Sequence, residues 1–263
     1  MNNLCIQVNN NCNFNCNYCR AKTDEEITSL NLEEIKKFLE EKIEVKNISI
    51  TGGEPTMYSK LDQFIEYLND KKYNVNITTN GFFIDKIDLL SKYTNLKTRV
   101  SIDGSQKIHD SIRGENSFDT AIETIKLLKS KNVWIGINTV MYPEVVKNFT
   151  QLFSVMKGIN IDSWAFITPI YENKKTQTIN DINYELIFDK IESKIKDYVK
   201  EILFWDYLTY PNGYLYVSSN GNIIIPGVRK EQDILIGHIS NIDKNEMIKK
   251  VVEQQNLMVK SFF

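Results

Sequence analysis

Short β-type runs alternate with helix-period segments along most of this chain, and that alternation limits its fold more than any other feature. The β-type runs are Leu4–Asn9, Asn47–Thr51, Tyr73–Thr79, Lys97–Asp103, Val133–Val140 and Ile161–Thr168. Amphipathic stretches lie between them. Leu32, Ile35, Leu39 and Ile43 line one helix face, which Asn31 and Glu34 can cap at its start. Phe118, Ala121, Ile122, Ile125 and Leu128 line a later one. Six βα units in succession predict an α/β fold with a parallel sheet, because parallel strands need crossover connections of this length.

Strand parity refines that expectation. Leu4, Ile6 and Val8 share one phase of the first run, and Cys5, Gln7 and Asn9 share the other. Val75 and Ile77 oppose Asn76, Thr78 and Asn80; Val100 and Ile102 oppose Arg99, Ser101 and Asp103. The apolar phase belongs against helices, so the opposite face is polar. A closed eight-stranded barrel fills its interior with Val, Ile and Leu. The pattern therefore predicts an open, partial (β/α)6 barrel of TIM type, with its active end at the carboxyl ends of the strands.

From about Tyr184 the pattern changes. A helix through Tyr184, Ile187, Ile191, Ile195 and Tyr198 precedes two β-rich runs joined at Asn220-Gly221, a strong hairpin signal. A last helix starts near Asp243. The expected organisation is a barrel core over 1–180 and a small C-terminal α+β extension, a β-hairpin plus helix, over 181–263.

The chain balances 32 Lys+Arg against 34 Asp+Glu, a net charge of −2. That leaves no basic excess to neutralise phosphates, so a nucleic-acid partner is not expected. No apolar run approaches the ~18 residues of a membrane span, and the N-terminus lacks the pattern of a signal peptide. A cytoplasmic protein without membrane association is expected. Only four cysteines occur, Cys5, Cys12, Cys16 and Cys19, all within the first 19 residues. A disulfide-stapled secreted protein would spread them out. An N-terminal metal or redox site, or coincidence, remains.

Cys12-Asn-Phe-Asn-Cys16-Asn-Tyr-Cys19 directly follows the first run. Three thiolates on a short loop can hold three irons of a four-iron, four-sulfur cluster and leave the fourth without a protein ligand. Structural zinc asks for four ligands, and the two histidines, His109 and His238, are remote in sequence. After the second run comes Thr51-Gly52-Gly53-Glu54-Pro55. Glycines at a strand end let backbone approach a ligand, and a carboxylate beside them can accept bonds from an ammonium group.

Together these blocks resemble the radical S-adenosylmethionine superfamily: the CX3CX2C loop with aromatic Tyr18 before its third cysteine, and the Gly-Gly-Glu-Pro. Ser101-Ile-Asp-Gly104, His109-Asp-Ser-Ile-Arg113-Gly114 and Ser117-Phe118-Asp narrow the resemblance to the SPASM or twitch branch, with anaerobic sulfatase maturases and peptide-modifying enzymes. It covers about residues 1–170. The resemblance implies one [4Fe-4S] cluster on Cys12, Cys16 and Cys19, and S-adenosyl-L-methionine on the open iron. It implies that Gly52, Gly53 and Glu54 contact the methionine amino group, that Ser101 and Arg113 hold its carboxylate, and that Tyr18 lies near the adenine. Asn80 and Asn138, on the inner phase, are further cofactor or ribose candidates. One-electron reduction, from an external flavodoxin or ferredoxin-type reductant, would yield a 5′-deoxyadenosyl radical that abstracts a substrate hydrogen.

The chain departs from that branch in having no cysteine after Cys19. Gly227 follows Ile225-Pro226 where relatives place a ligand cysteine, so a degenerate extension without auxiliary clusters is expected. No N-terminal leader-binding domain is expected either. Cys5 shares the inner phase with Gln7 and Asn9 and is a candidate hydrogen donor, or simply a small buried strand residue. The implied activity is modification of a ribosomally made peptide, by epimerisation or cross-linking. The alternatives are a radical transformation of a sugar, nucleoside or amino acid, and a non-enzymatic Fe–S carrier.

Overall fold

The computed structural model describes residues 2–16, 18–19, 21, 26–93, 95–169, 182–206, 214–227 and 230–261. Six strands follow the expected runs closely: β1 (Asn3–Gln7), β2 (Asn47–Thr51), β3 (Asn74–Thr79), β4 (Leu96–Ser101), β5 (Ile135–Val140) and β6 (Ser163–Ile167). Helices α1 (Leu32–Glu41), α2 (Leu61–Asp70), α3 (Ile84–Leu90), α4 (Gln106–Arg113), α5 (Ser117–Ser130), α6 (Pro143–Lys147) and α7 (Phe149–Met156) connect them. Asn31 caps α1 as expected, its Oδ1 accepting from the amides of Glu33 (3.0 Å) and Glu34 (3.3 Å).

The later part of the chain adds α8 (Tyr184–Ile195), β7 (Glu201–Trp205), β8 (Leu215–Val217), β9 (Asn222–Ile225), β10 (Ile234–His238) and α9 (Lys244–Ser261). All ten strands form one sheet in the order β10-β9-β8-β1-β2-β3-β4-β5-β6-β7. The partial barrel is thus extended on both sides. β7 pairs in parallel with β6, and β8 pairs in parallel with β1. The hairpin and final helix are present, with Gly221 at φ +85° in the turn, but the hairpin continues the main sheet through β8. The boundary expected at 180 lies outside the described residues. No described helix is long and apolar enough to cross a membrane.

The core divides along the sheet. Leu4, Ile6, Ile48, Ile50, Val75 and Ile77 pack with α1, α2 and α9, whereas Val100, Ile102, Ile135, Ile137, Trp164 and Phe166 pack with α5, α7 and α8. These are the apolar phases read from the sequence. Their polar counterparts line the other face, where Ser101 and Asn138 stand opposite one another in the β4–β5 register.

Candidate active site

The loop after β1 is held in place before it reaches its first cysteine. The Asn9 carbonyl accepts from the Gly53 amide (2.8 Å), and the Asn11 carbonyl accepts from the Glu54 amide (2.7 Å). Asn9 also donates from Nδ2 to the Glu54 carbonyl at 3.0 Å. Asn10 donates to the Glu26 carbonyl (2.9 Å) and accepts from the Thr28 amide (2.7 Å), closing the return arm of the loop. The asparagines thus replace the ladder that β1 has left, and satisfy backbone groups that would otherwise be orphaned.

The three loop cysteines are free thiols; Cys16 is buried and the other two partly so. Cys12, Cys16 and Cys19 line one cavity of about 270 Å³ with Asn10, Phe14 and Gly53. Burial raises the pKa of the Cys12 thiol and pushes that of Cys16 up to about 11. A metal must therefore displace protons as it binds. Among the described residues no three His, Cys, Asp or Glu side chains converge closely enough to hold a single metal ion. A four-iron cluster fits this donor set, because each thiolate would bind a separate iron and the sulfurs need not converge on one metal.

Gly53 has a reason for being glycine beyond the ligand approach expected from sequence. A Cβ there would lie 2.1 Å from the carbonyl oxygen of Asn11 and 2.8 Å from the carbonyl carbon of Asn10. The Gly-Gly-Glu-Pro turn is packed directly on the backbone entering the cysteine loop.

Glu54 is 1% exposed. Its Oε1 accepts from the Thr56 amide (3.1 Å), Thr56 Oγ1 (2.6 Å) and Thr79 Oγ1 (2.7 Å), and its Oε2 accepts from the Asn80 amide (2.8 Å). Burial pushes its carboxyl up, against the opposing pull of these donors. The carboxylate is a brace between the turn and the end of β3. Among the described residues the Gly52 and Gly53 carbonyls accept no hydrogen bond, which leaves them able to take an ammonium group.

Asn80 also turns toward the cysteine loop. Its Nδ2 donates to Asn13 Oδ1 at 2.9 Å and approaches Cys12 Sγ at 3.9 Å. Across the site, Tyr18 donates its hydroxyl to Asp103 Oδ2, and its ring lies 5.0 Å from that of Tyr142 and 5.8 Å from the Arg113 guanidinium. Arg113 is itself paired with Asp103 at 2.7 Å. Burial opposes the charge on Arg113, but Asp103 outweighs it and holds the guanidinium protonated.

Cys5 does not join this group. It lies on the inner phase of β1, in register with Ser49 and Tyr216, and burial pushes its thiol pKa up to about 12. Sequence reasoning placed Asp103 on the inner face without giving it a role; its burial and its pairing with Arg113 are facts of the folded chain. Arg99, on the same inner phase, likewise had no role assigned from sequence. It is buried, donates to Ser163 Oγ at 2.9 Å and approaches Asn138 Oδ1 at 3.4 Å, between the rings of Trp134 and Trp205.

Comparison with known proteins agrees with this architecture. GTP 3′,8-cyclase of Campylobacter fetus subsp. fetus is 29% identical over 76% of this chain and 64% of its own length. Sporulation killing factor maturation protein SkfB of Bacillus subtilis is 28% identical over 49% of this chain and 33% of its own. The chain spans from 33% to 72% of the length of such relatives. Native anSMEcpe with bound AdoMet and Cp18Cys peptide superposes with a TM-score of 0.71, at 17% identity, over 93% of this chain and 79% of that one. The Radical SAM superfamily model matches residues 6–154, which include the three loop cysteines, the Gly-Gly-Glu-Pro turn and the Asp103 cluster. The chain belongs to the radical SAM superfamily.

Proposed function

We propose that this radical SAM enzyme modifies a ribosomally made peptide, by epimerisation or cross-linking. Cys12, Cys16 and Cys19 hold the [4Fe-4S] cluster, and S-adenosylmethionine supplies, with one electron from a flavodoxin or ferredoxin-type partner, the radical chemistry. The Gly52 and Gly53 carbonyls take the methionine ammonium, with Glu54 holding their turn in place. Ser101 and Arg113 take its carboxylate. Arg113 suits that role because its planar guanidinium presents several donors, of which Asp103 uses only the Nε and Nη2 side. Tyr18 borders the adenine, Asn138 serves the ribose, and Asn80 keeps Cys12 in position. Cys5, protonated at every physiological pH, is the candidate hydrogen donor if the product is an epimer. A cytoplasmic location fits reduced thiols.

The observation that carries the cofactor assignment is the single cavity shared by the three thiols and Gly53. The peptide assignment is supported by the peptide in anSMEcpe and by the name of SkfB, and is an argument by analogy. The GTP cyclase relative supports a small-molecule substrate as the second reading. The test is anaerobic turnover with precursor peptides encoded beside the gene, read by mass spectrometry in deuterated water. Epimerisation exchanges one carbon-bound hydrogen for solvent deuterium, and cross-linking removes two hydrogens. Unchanged peptides together with turnover of a sugar or nucleotide would favour the second reading.

A further inference from the structure

Asp103 is 0% exposed, yet it carries a charge. Burial pushes its carboxyl up, and Arg113, His109, Tyr18 and the Val140 amide outweigh that, so its pKa lies below the usual carboxylate range. Three donors converge on Oδ2: the Tyr18 hydroxyl, Arg113 Nε at 2.7 Å and Arg113 Nη2 at 2.7 Å. Oδ1 accepts from the Val140 amide at 2.9 Å. The Asp103 amide in turn donates to His109 Nδ1 at 2.9 Å, which joins α4 to the end of β4 a second time. One carboxylate thus joins four pieces of chain: the end of β4, the end of β5, helix α4 and the arm between the second and third cysteines.

Tyr18 is the informative partner, because it lies between Cys16 and Cys19 and its hydroxyl ties that arm to Asp103 at the end of β4. Among the described residues one backbone bond closes the arm locally, from the Cys19 amide to the Cys16 carbonyl at 3.2 Å. Ordering such a short loop costs conformational entropy, which a distant anchor offsets. Arg113, with its side chain 10% exposed, would be a costly unpaired charge without Asp103.

We propose that Asp103 is a positioning residue: it fixes the Cys16–Cys19 arm through Tyr18 and holds Arg113 in reach of the cofactor carboxylate. This rests on the cofactor reading above, and it assigns a role that is neither ligation nor direct cofactor contact. Removing the negative charge leaves a positive Arg113 beside Cys16 with nothing to balance it. A bound cluster then becomes easier to reduce, which a merely structural role would not predict.

The test compares wild type, Asp103→Asn and Tyr18→Phe by three measurements. The first is amide hydrogen exchange over residues 16–21, which requires no cluster. The second is the cluster midpoint potential after anaerobic reconstitution. The third is equilibrium binding of S-adenosylmethionine to the oxidised holoenzyme. Both variants should speed exchange of the Cys19 amide by about tenfold, as loss of one hydrogen bond to a charged group implies. Asp103→Asn alone should shift the potential to more positive values and weaken S-adenosylmethionine binding by about tenfold or more. Tyr18→Phe keeps the Asp103–Arg113 pair and should leave the potential near that of wild type.

Wild-type exchange over 16–21 in both variants overturns the anchoring role. An unchanged potential and affinity in Asp103→Asn overturn the role toward Arg113. If Asp103→Asn does not fold, Tyr18→Phe decides through its exchange pattern alone. Failure of wild type to take up iron would refute the cofactor reading instead, and the exchange comparison would still decide whether Asp103 anchors the arm.

Discussion

Gly53→Ala adds one methyl group, and the structure says where it must go. The new Cβ falls 2.1 Å from the Asn11 carbonyl oxygen and 2.4 Å from its carbon, whereas ordinary contact begins near 3.4 Å. The deficit exceeds an ångström, and every close atom is backbone, so no side chain can swing aside. The chain must move either the turn or Asn10–Asn11. Either movement strains the bonds from the Gly53 amide to Asn9 (2.8 Å) and from the Glu54 amide to Asn11 (2.7 Å). Overpacking of this kind costs about 1–3 kcal/mol, and each lost hydrogen bond adds about 1 kcal/mol. A destabilisation of about 3–5 kcal/mol follows. Function should suffer more, because Asn11 adjoins Cys12 and an ångström of misplacement costs about 10²-fold in rate. The assay is formation of 5′-deoxyadenosine from S-adenosylmethionine with a strong reductant, alongside iron content and thermal melting. Gly52→Ala is the internal comparison. There the nearest atom is a side-chain oxygen, Asn9 Oδ1 at 2.9 Å, so a loss of about tenfold or less is expected. Wild-type iron content and rate in Gly53→Ala would refute the packing of the turn on the cysteine loop.

Three other outcomes follow from the same geometry. Burial, followed by the nearby Arg113 charge, pushes the His109 pKa down to about 4. Between about pH 6.5 and 4 the unfolded chain therefore binds the proton that the folded chain refuses, and stability falls as pH falls through that window by about 3 kcal/mol. His109→Gln should flatten the dependence of melting temperature on pH there; an unchanged slope would show that His109 is not its source. Glu54→Gln replaces an acceptor of four hydrogen bonds with a group that must present an amide to some of those donors. It should cost about 3 kcal/mol in melting experiments and reduce cluster loading, and a neutral effect would mean that the brace is dispensable. Asn80→Ala removes the amide that approaches Cys12 Sγ at 3.9 Å. Loss of a donor near a ligand sulfur should move the cluster potential to more negative values, and no shift in a redox titration would show that the contact has no influence on the cluster.

The six inner strands were readable because alternation and burial agree. Val100 and Ile102 are apolar, lie in one phase and are fully buried against α5 and its neighbours. The run Glu201-Ile-Leu-Phe-Trp205 was not readable as β7, since five residues without clear alternation, directly after a helix, carry no decisive period. The hairpin at Gly221 was clear, but a turn signal identifies only the antiparallel partner. That β8 also pairs with β1 is a long-range fact about the sheet edge. Within the site, ligand types and spacing were legible, whereas their supports were not. Gly53 is glycine because Asn11 backbone occupies the space, and the Glu54 carboxylate is spent on Thr56, Thr79 and Asn80. Arg113 is committed on one side to Asp103, a pairing that a one-dimensional reading had no means to assign.

The central claim is that Cys12, Cys16 and Cys19 hold one four-iron cluster with an iron open to S-adenosylmethionine. Mössbauer spectroscopy of the anaerobically reconstituted chain, with iron and sulfide counted on the same sample, tests it most directly. About four irons and four sulfides per chain are expected, with one iron site whose spectrum changes when S-adenosylmethionine is added. The count should collapse in the Cys12→Ala, Cys16→Ala, Cys19→Ala triple variant. A chain that binds a single zinc, or a cluster whose spectrum ignores S-adenosylmethionine, would contradict the account.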